Sequence, residues 1–234
     1  MKRLYASMAL SVISLCAHAL DQGEESLEGA PSAQFDYRAY AVTWQPTFCL
    51  LNPTTAGCDK PKNVFNTHGI WPYYKSTDQS ANRHPSFCTK SVGCDQAGAV
   101  CELTDKDQKQ AQAYPDFSEM VTESPESLMK HEWKKHGTCY GTSQIQYFED
   151  FVNLRSVVKY NQAFNQYQGK SLGLDNLKSL FPANTSFRCA NHKGKQYLFE
   201  VFFLIDRQGQ PYTEDRNLQI GEKCQSKEIH IPMV

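Results

Sequence analysis

Two hydrophobic periods divide this chain. Residues 37–44, YRAYAVTW, are rich in aromatic and β-branched side chains and predict a strand that ends at Gln45-Pro46. Residues 64–67 predict a shorter strand that delivers His68 at its end. The run at 197–206, YLFEVFFLID, is too short to cross a bilayer and predicts a buried strand with a turn at 207–209, and 228–231 alternates polar and apolar positions. Elsewhere the spacing is helical: over 103–113, over 125–137, and over 144–160, where Ile145, Phe148, Phe151, Val152 and Val158 share one face. A shorter helix is expected over 172–180, and residues 78–101 read as polar loops stapled by three cysteines. Strands and helices mix without βαβ regularity, which predicts the α+β class in one domain with no internal repeat.

The ends and the charge narrow this picture. Lys2 and Arg3 precede an apolar, small-residue run over 4–16, and Ala17-His18-Ala19 is an acceptable cleavage site, so residues 1–19 are expected to be a secretory signal peptide. The acidic, small-residue stretch over 20–34 reads as a flexible arm, leaving 35–234 as the single domain. Leu15 before Cys16 is wrong for a lipoprotein signal, and no later run is long enough to span a membrane, so the expectation is an exported protein, periplasmic or extracellular, with no membrane anchor. Without Lys2 and Arg3 the 24 basic residues fall to 22 against 25 acidic ones, a net charge of -3. That excludes a polybasic binder of long duplexes but leaves room for a local positive cleft.

Export also sets the cysteine chemistry. Once Cys16 leaves with the signal, Cys49, Cys58, Cys88, Cys94, Cys101, Cys139, Cys189 and Cys224 remain, an even set that predicts four disulfides without choosing their pairing. The competing zinc cluster lacks any C-x-x-C pair.

The densest chemistry is HEWKKHGTC at 131–139. On a helix Glu132 and His136 share one face, and His131 with Lys135 forms a neighbouring pair. The zinc-protease pattern H-E-x-x-H fails here because the two histidines are five apart, and a plain charged helix surface is the bland alternative. Lys134 is expected to face solvent. A second stretch, FNTHGIWPYY at 65–74, sets His68 beside Trp71, an aromatic suited to stacking an unpaired base, though Trp71, Tyr73 and Tyr74 could equally be packing.

Together, HGIWP at 68–72 and HEWKKHGTC resemble the two signatures of the ribonuclease T2 family. VTWQPTFC at 42–49 resembles that family's first strand and cysteine loop, and FRC with YLFEVFFLID resembles its carboxyl-terminal strands, so the likeness covers about 35–232. The sparse loops and the QPTFC element look most similar to bacterial exported members. The resemblance implies a central antiparallel β-sheet packed with several α-helices. It also implies a metal-independent endoribonuclease that needs no cofactor, cuts single-stranded RNA by 2′-hydroxyl attack, and gives 2′,3′-cyclic and then 3′-phosphate ends. DNA lacks that nucleophile and is not expected to be cut, and the protein is expected to be a monomer.

By the same resemblance His136 is the base and His68 the acid. A neutral and a protonated imidazole suit such a pair without a metal, since imidazole titrates near the working pH. His131 would contact phosphate, Lys135 would oppose charge developing on the phosphoryl oxygens, and Glu132 would orient or favour a protonated histidine. Trp71 is the base-stacking candidate. Tyr73 stands where several members carry an acidic base-recognition residue, so broad base tolerance is expected. Gln45 and Phe48 are candidates for a second base. Cys189 would join Cys224, Cys139 one of Cys88, Cys94 and Cys101, and Cys49 with Cys58 is a plausible short link. A catalytically idle RNA-binding or nucleotide-binding module and a zinc hydrolase are the competing readings. The sequon at Asn184 and the residues His84, His192 and His230 are expected to carry no function.

Overall fold

The strand expected at 37–44 is buried at every position because both of its faces are covered, Tyr40, Val42 and Trp44 entering one apolar cluster and Tyr37, Ala39 and Ala41 another. A computed structural model describes residues 24–75, 82–92, 101–214, 218, 220–225 and 227–234; the expected signal segment and Cys94 lie outside the described residues. In chain order the elements are β1 Glu24–Glu28, β2 Tyr37–Trp44, α1 Gln45–Leu51, β3 Phe65–Tyr73, β4 Asn82–Ser86, α2 Asp105–Gln112, α3 Phe117–Met120 and α4 Glu126–Glu132. A π-helical turn, Trp133–Gly137, follows, then α5 Thr138–Tyr140, α6 Gln144–Asn153, β5 Lys170–Leu172, α7 Leu174–Ser179, β6 Thr185–His192, β7 Lys195–Ile205 and β8 Ile229–Ile231.

The main sheet runs β3-β2-β7-β8-β5, with β6 also paired to β7. The expected antiparallel sheet is corrected to a mixed one: β8 runs parallel to β7 at Gln196↔Ile229 and Tyr197↔His230. The connection after β7 returns the chain to the end where β7 began, so β8 enters in the same direction. The turn between β6 and β7 has Lys193 and Gly194 both at positive φ, as a tight primed turn requires.

Several expected elements change where local chemistry competes with hydrophobic pattern. Pro46 ends β2 but also starts α1, where its missing N–H costs nothing in the first turn. β3 continues through Pro72 because it is the edge strand of the sheet. The helix expected over 172–180 is shortened to α7 by Gly173, its N-cap, and Leu172 instead ends β5. Part of the stretch read as a flexible arm is laid against the domain: β1 pairs with β4, and Ala33 N donates to Cys139 O at 3.0 Å.

Most of the core lies where Tyr40, Val42, Trp44 and Phe65 meet Trp133, Tyr147, Phe148 and Phe151. Capping of α6 by Ser143 and Gln146 starts the helix that carries the last three. A smaller cluster joins Tyr37, Ala39, Ala41, Trp71, Tyr73 and Phe202, and the chemistry sits beside it. Three disulfides, Cys49–Cys58, Cys88–Cys139 and Cys189–Cys224, are found among the described residues. That corrects the expected four to three among the described residues; Cys101 is also disulfide-bonded, and Cys94 lies outside the described residues.

Candidate active site

A bulge in the sheet aims His68. Along β2 and β3, Ala41 faces Gly69 and Val42 faces Thr67, so His68 is the extra residue with no partner across the ladder. Bulges of this kind bend a strand and redirect a side chain. The redirected imidazole reaches past β2 to β7, where Nδ1 lies 2.5 Å from Glu200 Oε1, while Nε2 lies 3.4 Å from Glu132 Oε1. The side chain stays 25% exposed, whereas Glu200 and Glu132 are buried at 0% and 1%. Burial by itself would lower the pKa of His68, but the charges of Glu200 and Glu132 outweigh it and the net direction is up.

Glycine at position 69 is a steric requirement. A Cβ there would sit 1.8 Å from Glu132 Oε2 and 2.6 Å from Trp71 Nε1. The open space lets the Trp71 indole donate to Glu132 Oε2 at 2.6 Å. Trp71 is only 5% exposed, with its ring stacked on His136 at 5.0 Å and its edge on His68 at 5.2 Å. Burial raises the pKa of Glu132, although His68, the indole bond and Lys135 all pull the other way.

The π-helical turn carries the other half. Thr138 N donates to Trp133 O, a wider ring than an α-helix makes, and such turns recur at functional sites. Gly137 is needed because a Cβ would lie 2.4 Å from the Trp133 ring and 3.0 Å from Tyr147. Glu132 and His136, expected to share one face, are both buried, whereas His131 is exposed and Lys135 half-buried. Lys134 is half-buried rather than fully solvent-facing and pairs with Glu102 at 2.9 Å. His136 is 2% exposed, and its Nδ1 has no hydrogen-bond partner among the described residues. Burial first, then Lys135 and the neighbouring His84, His131 and His68, hold its pKa well below 6.5. The tether at the end of this turn is the Cys88–Cys139 disulfide, reinforced by Cys88 N donating to Thr138 Oγ1 at 3.1 Å.

Other candidates fall elsewhere. Tyr73 is fully buried, stacked on Tyr37 at 5.6 Å and tilted against His84 at 5.5 Å, so it is core and not a surface that meets RNA. Trp71 likewise offers no open face to a base. Gln45 is nearly buried; its Oε1 accepts from Lys62 N at 2.8 Å, and it borders a groove of about 910 Å³ with Lys60, Lys62, Asn66 and Glu123. Asn66 stands two residues before His68 on β3, but His68, Glu132, Lys135 and His136 do not line this groove. Phe48 is half-buried on α1 and does not border that groove.

Three neighbours escaped the sequence reading. Glu200 was signalled only by being the one charge inside the apolar stretch YLFEVFF; Arg188 pairs with its Oε2 from β6. His84, expected to be structural, lies 5.8 Å from the His136 ring, and burial followed by Lys135 lowers its pKa to about 3. Among the described residues, no group of three or more His, Cys, Asp or Glu is arranged to hold a metal.

A histidine favoured as a cation and one favoured as neutral, on two sides of one indole and with Lys135 acting on the second, define apparatus for proton donation and acceptance around an anionic group. The comparisons give that apparatus its family. The ribonuclease T2 family model matches residues 35–224, and the chain belongs to that family. It is a T2-type endoribonuclease acting on single-stranded RNA. Ribonuclease 1 of Arabidopsis thaliana is 26% identical over 99% of both chains. A ribonuclease of Aeromonas hydrophila is 32% identical but aligns over 53% of this chain and 46% of its own. The expected likeness to bacterial exported members is therefore corrected: the plant protein matches along its whole length, the bacterial one over about half. A self-incompatibility ribonuclease, SF11, of Nicotiana alata shares the fold with a TM-score of 0.60 at 18% identity, over 85% of this chain and 100% of its own. No described helix is long and apolar enough to cross a membrane, and the disulfides are those of a protein made for an oxidising, exported compartment.

Proposed function

We propose that His136 takes the proton from the ribose 2′-hydroxyl while His68 protonates the departing 5′-oxygen, so that the 2′-oxygen attacks phosphorus and leaves a 2′,3′-cyclic phosphate. The observation that carries this division is the placement of both imidazoles against Trp71 with their pKa values pushed in opposite directions. His68 enters the reaction holding a proton and His136 enters with a free lone pair. Part of what depresses His136 is the positive charge of Lys135, and a bound phosphate would offset that charge and strengthen the base when substrate arrives.

Lys135 and His131, outward of His136, oppose the charge on the phosphoryl oxygens. Glu132 steadies the indole and the His68 ring through its two oxygens. Trp71 acts as a spacer between the histidines. With Trp71 and Tyr73 both inside the molecule, base selection is broad, and the groove beside Gln45 and Lys62 takes the strand next to the cut. The enzyme is proposed to work as a monomer, to leave DNA intact, to require no metal, and to be delivered after loss of residues 1–19 to the periplasm or the medium.

The test is digestion of matched RNA and DNA oligonucleotides in excess chelator, with identification of cut positions and termini. RNA cut at many bases with 2′,3′-cyclic ends, and DNA left whole, is the expected result. A folded sample that leaves RNA intact across about pH 4 to 8 would defeat the reading.

A further inference from the structure

We propose that Glu200 is a positioning residue for RNA cleavage, holding the His68 ring by Nδ1 from inside the sheet so that Nε2 stays turned to the cleft. The proposal rests on the reading of His68 as the proton donor. Glu200 is the wholly buried carboxylate at the centre of a cross-strand row: Thr43 on β2 faces it from one side and Arg188 on β6 from the other. Each neighbour spends its polar group on it. Thr43 Oγ1 donates to Glu200 Oε1 at 2.8 Å, and the Arg188 guanidinium pairs with Oε2 while lying over the Phe199 ring at 5.3 Å.

An anion sunk this deep is costly unless its charge is matched. One guanidinium and one hydroxyl already hold it, yet Oε1 also takes His68 Nδ1 at 2.5 Å, across the width of β2. That reach exists because the bulge between Ala41 and Val42 frees His68 from the ladder. A backbone irregularity and a buried charge on two separate strands thus serve one contact. With Nδ1–H committed to Glu200, the proton available to a leaving oxygen sits on Nε2, beside Glu132. The charged and titratable groups that bear on His68 are Glu200 and Arg188 from the sheet, Glu132 from α4, and His136 from the π-helical turn.

The experiment replaces Glu200→Gln, which keeps size and an acceptor but removes charge. It compares kcat, KM and their pH profiles with the NMR titration of the His68 ring. The expected result is a fall in kcat of about 10- to 100-fold, the scale of one charge-assisted hydrogen bond, with KM within about twofold. The alkaline limb of kcat and the His68 titration should both move to lower pH. Because the single variant leaves Arg188 beside an amide, the paired change Glu200→Gln with Arg188→Met is the folding control and should shift His68 in the same direction. In the unmodified enzyme, Nδ1 of His68 should be the protonated, hydrogen-bonded nitrogen; finding it unprotonated overturns the proposal even if no variant folds. An unshifted His68 titration in either folded variant also overturns it. If His68→Ala keeps full activity while Glu200→Gln still shifts the ring, the donor reading fails and the catalytic part of Glu200 fails with it, although the contact itself stands.

Discussion

Replacing Gly69→Ala tests the packing on which the site depends. The added Cβ would lie 1.8 Å from Glu132 Oε2, and a separation of at least 3.0 Å is needed, so the carboxylate must retreat by about 1.2 Å. Retreat directly away from the indole would stretch the 2.6 Å bond from Trp71 Nε1 to about 3.8 Å, beyond hydrogen-bond range. Losing a bond to a buried charge costs about 1.5–3 kcal/mol, and overpacking adds about 1–3 kcal/mol. The expected destabilisation is therefore about 2.5–6 kcal/mol, on the order of 10 °C in Tm for a domain of this size. Because the same carboxylate faces His68 Nε2, kcat should fall by about 100-fold even well below the new Tm. Circular dichroism melting and RNA-cleavage kinetics on one preparation read both quantities. A variant with Tm within about 2 °C and kcat within about twofold of the parent would refute the reasoning.

Trp71→Phe keeps the ring but removes the donor to Glu132; kcat should fall about 10- to 100-fold with KM little changed, whereas a base platform would lose mainly KM. Stability should decline on acidification. His84 and His136 are depressed, so their contribution is full above the unfolded value of 6.5 and is lost as pH falls toward about 3 for His84; Glu200, held near 2 against 4.5, adds a loss at lower pH. His68, shifted up, contributes in the opposite sense, its stabilisation being present below 6.5 and lost as pH rises through its folded value. Urea unfolding of His84→Leu should show a flatter acid limb between pH 6.5 and 3, by on the order of 3 kcal/mol, and an unchanged slope would contradict the burial argument. Replacing Cys88 and Cys139 by serine should cost about 2–5 kcal/mol, measured by thermal unfolding, and should lower kcat by loosening the π-helical turn.

How much of this was legible before the fold is best seen in particular residues. Periodicity located β2, β7 and α6, and helical spacing grouped Glu132 with His136 and His131 with Lys135, but only the fold decides that the first pair is the buried one. The π-helical turn was invisible because one widened ring leaves no mark in a five-residue hydrophobic pattern. Trp71 and Tyr73 were read as candidates for RNA contact, since an aromatic residue beside a catalytic histidine has the same letters whether its face is open or covered; only Glu132, His136, Tyr37 and His84 packed around them decide it. β6 was legible only through the resemblance of FRC to a carboxyl-terminal strand, because TSFRCANH alternates too weakly for its own pattern to stand apart from a loop. Glu200 meets His68 from 132 residues away, and no local pattern could pair a bulge with a charge on another strand.

The division of labour between the two histidines can be measured with an RNA dinucleotide whose 5′-bridging oxygen is replaced by sulfur, a leaving group that departs without a proton donor. His68→Ala, crippled on ordinary RNA, should regain nearly parental rates on this substrate, while His136→Ala, lacking the base, should stay slow on both. Rescue of His136→Ala instead, or of neither variant, would contradict the account.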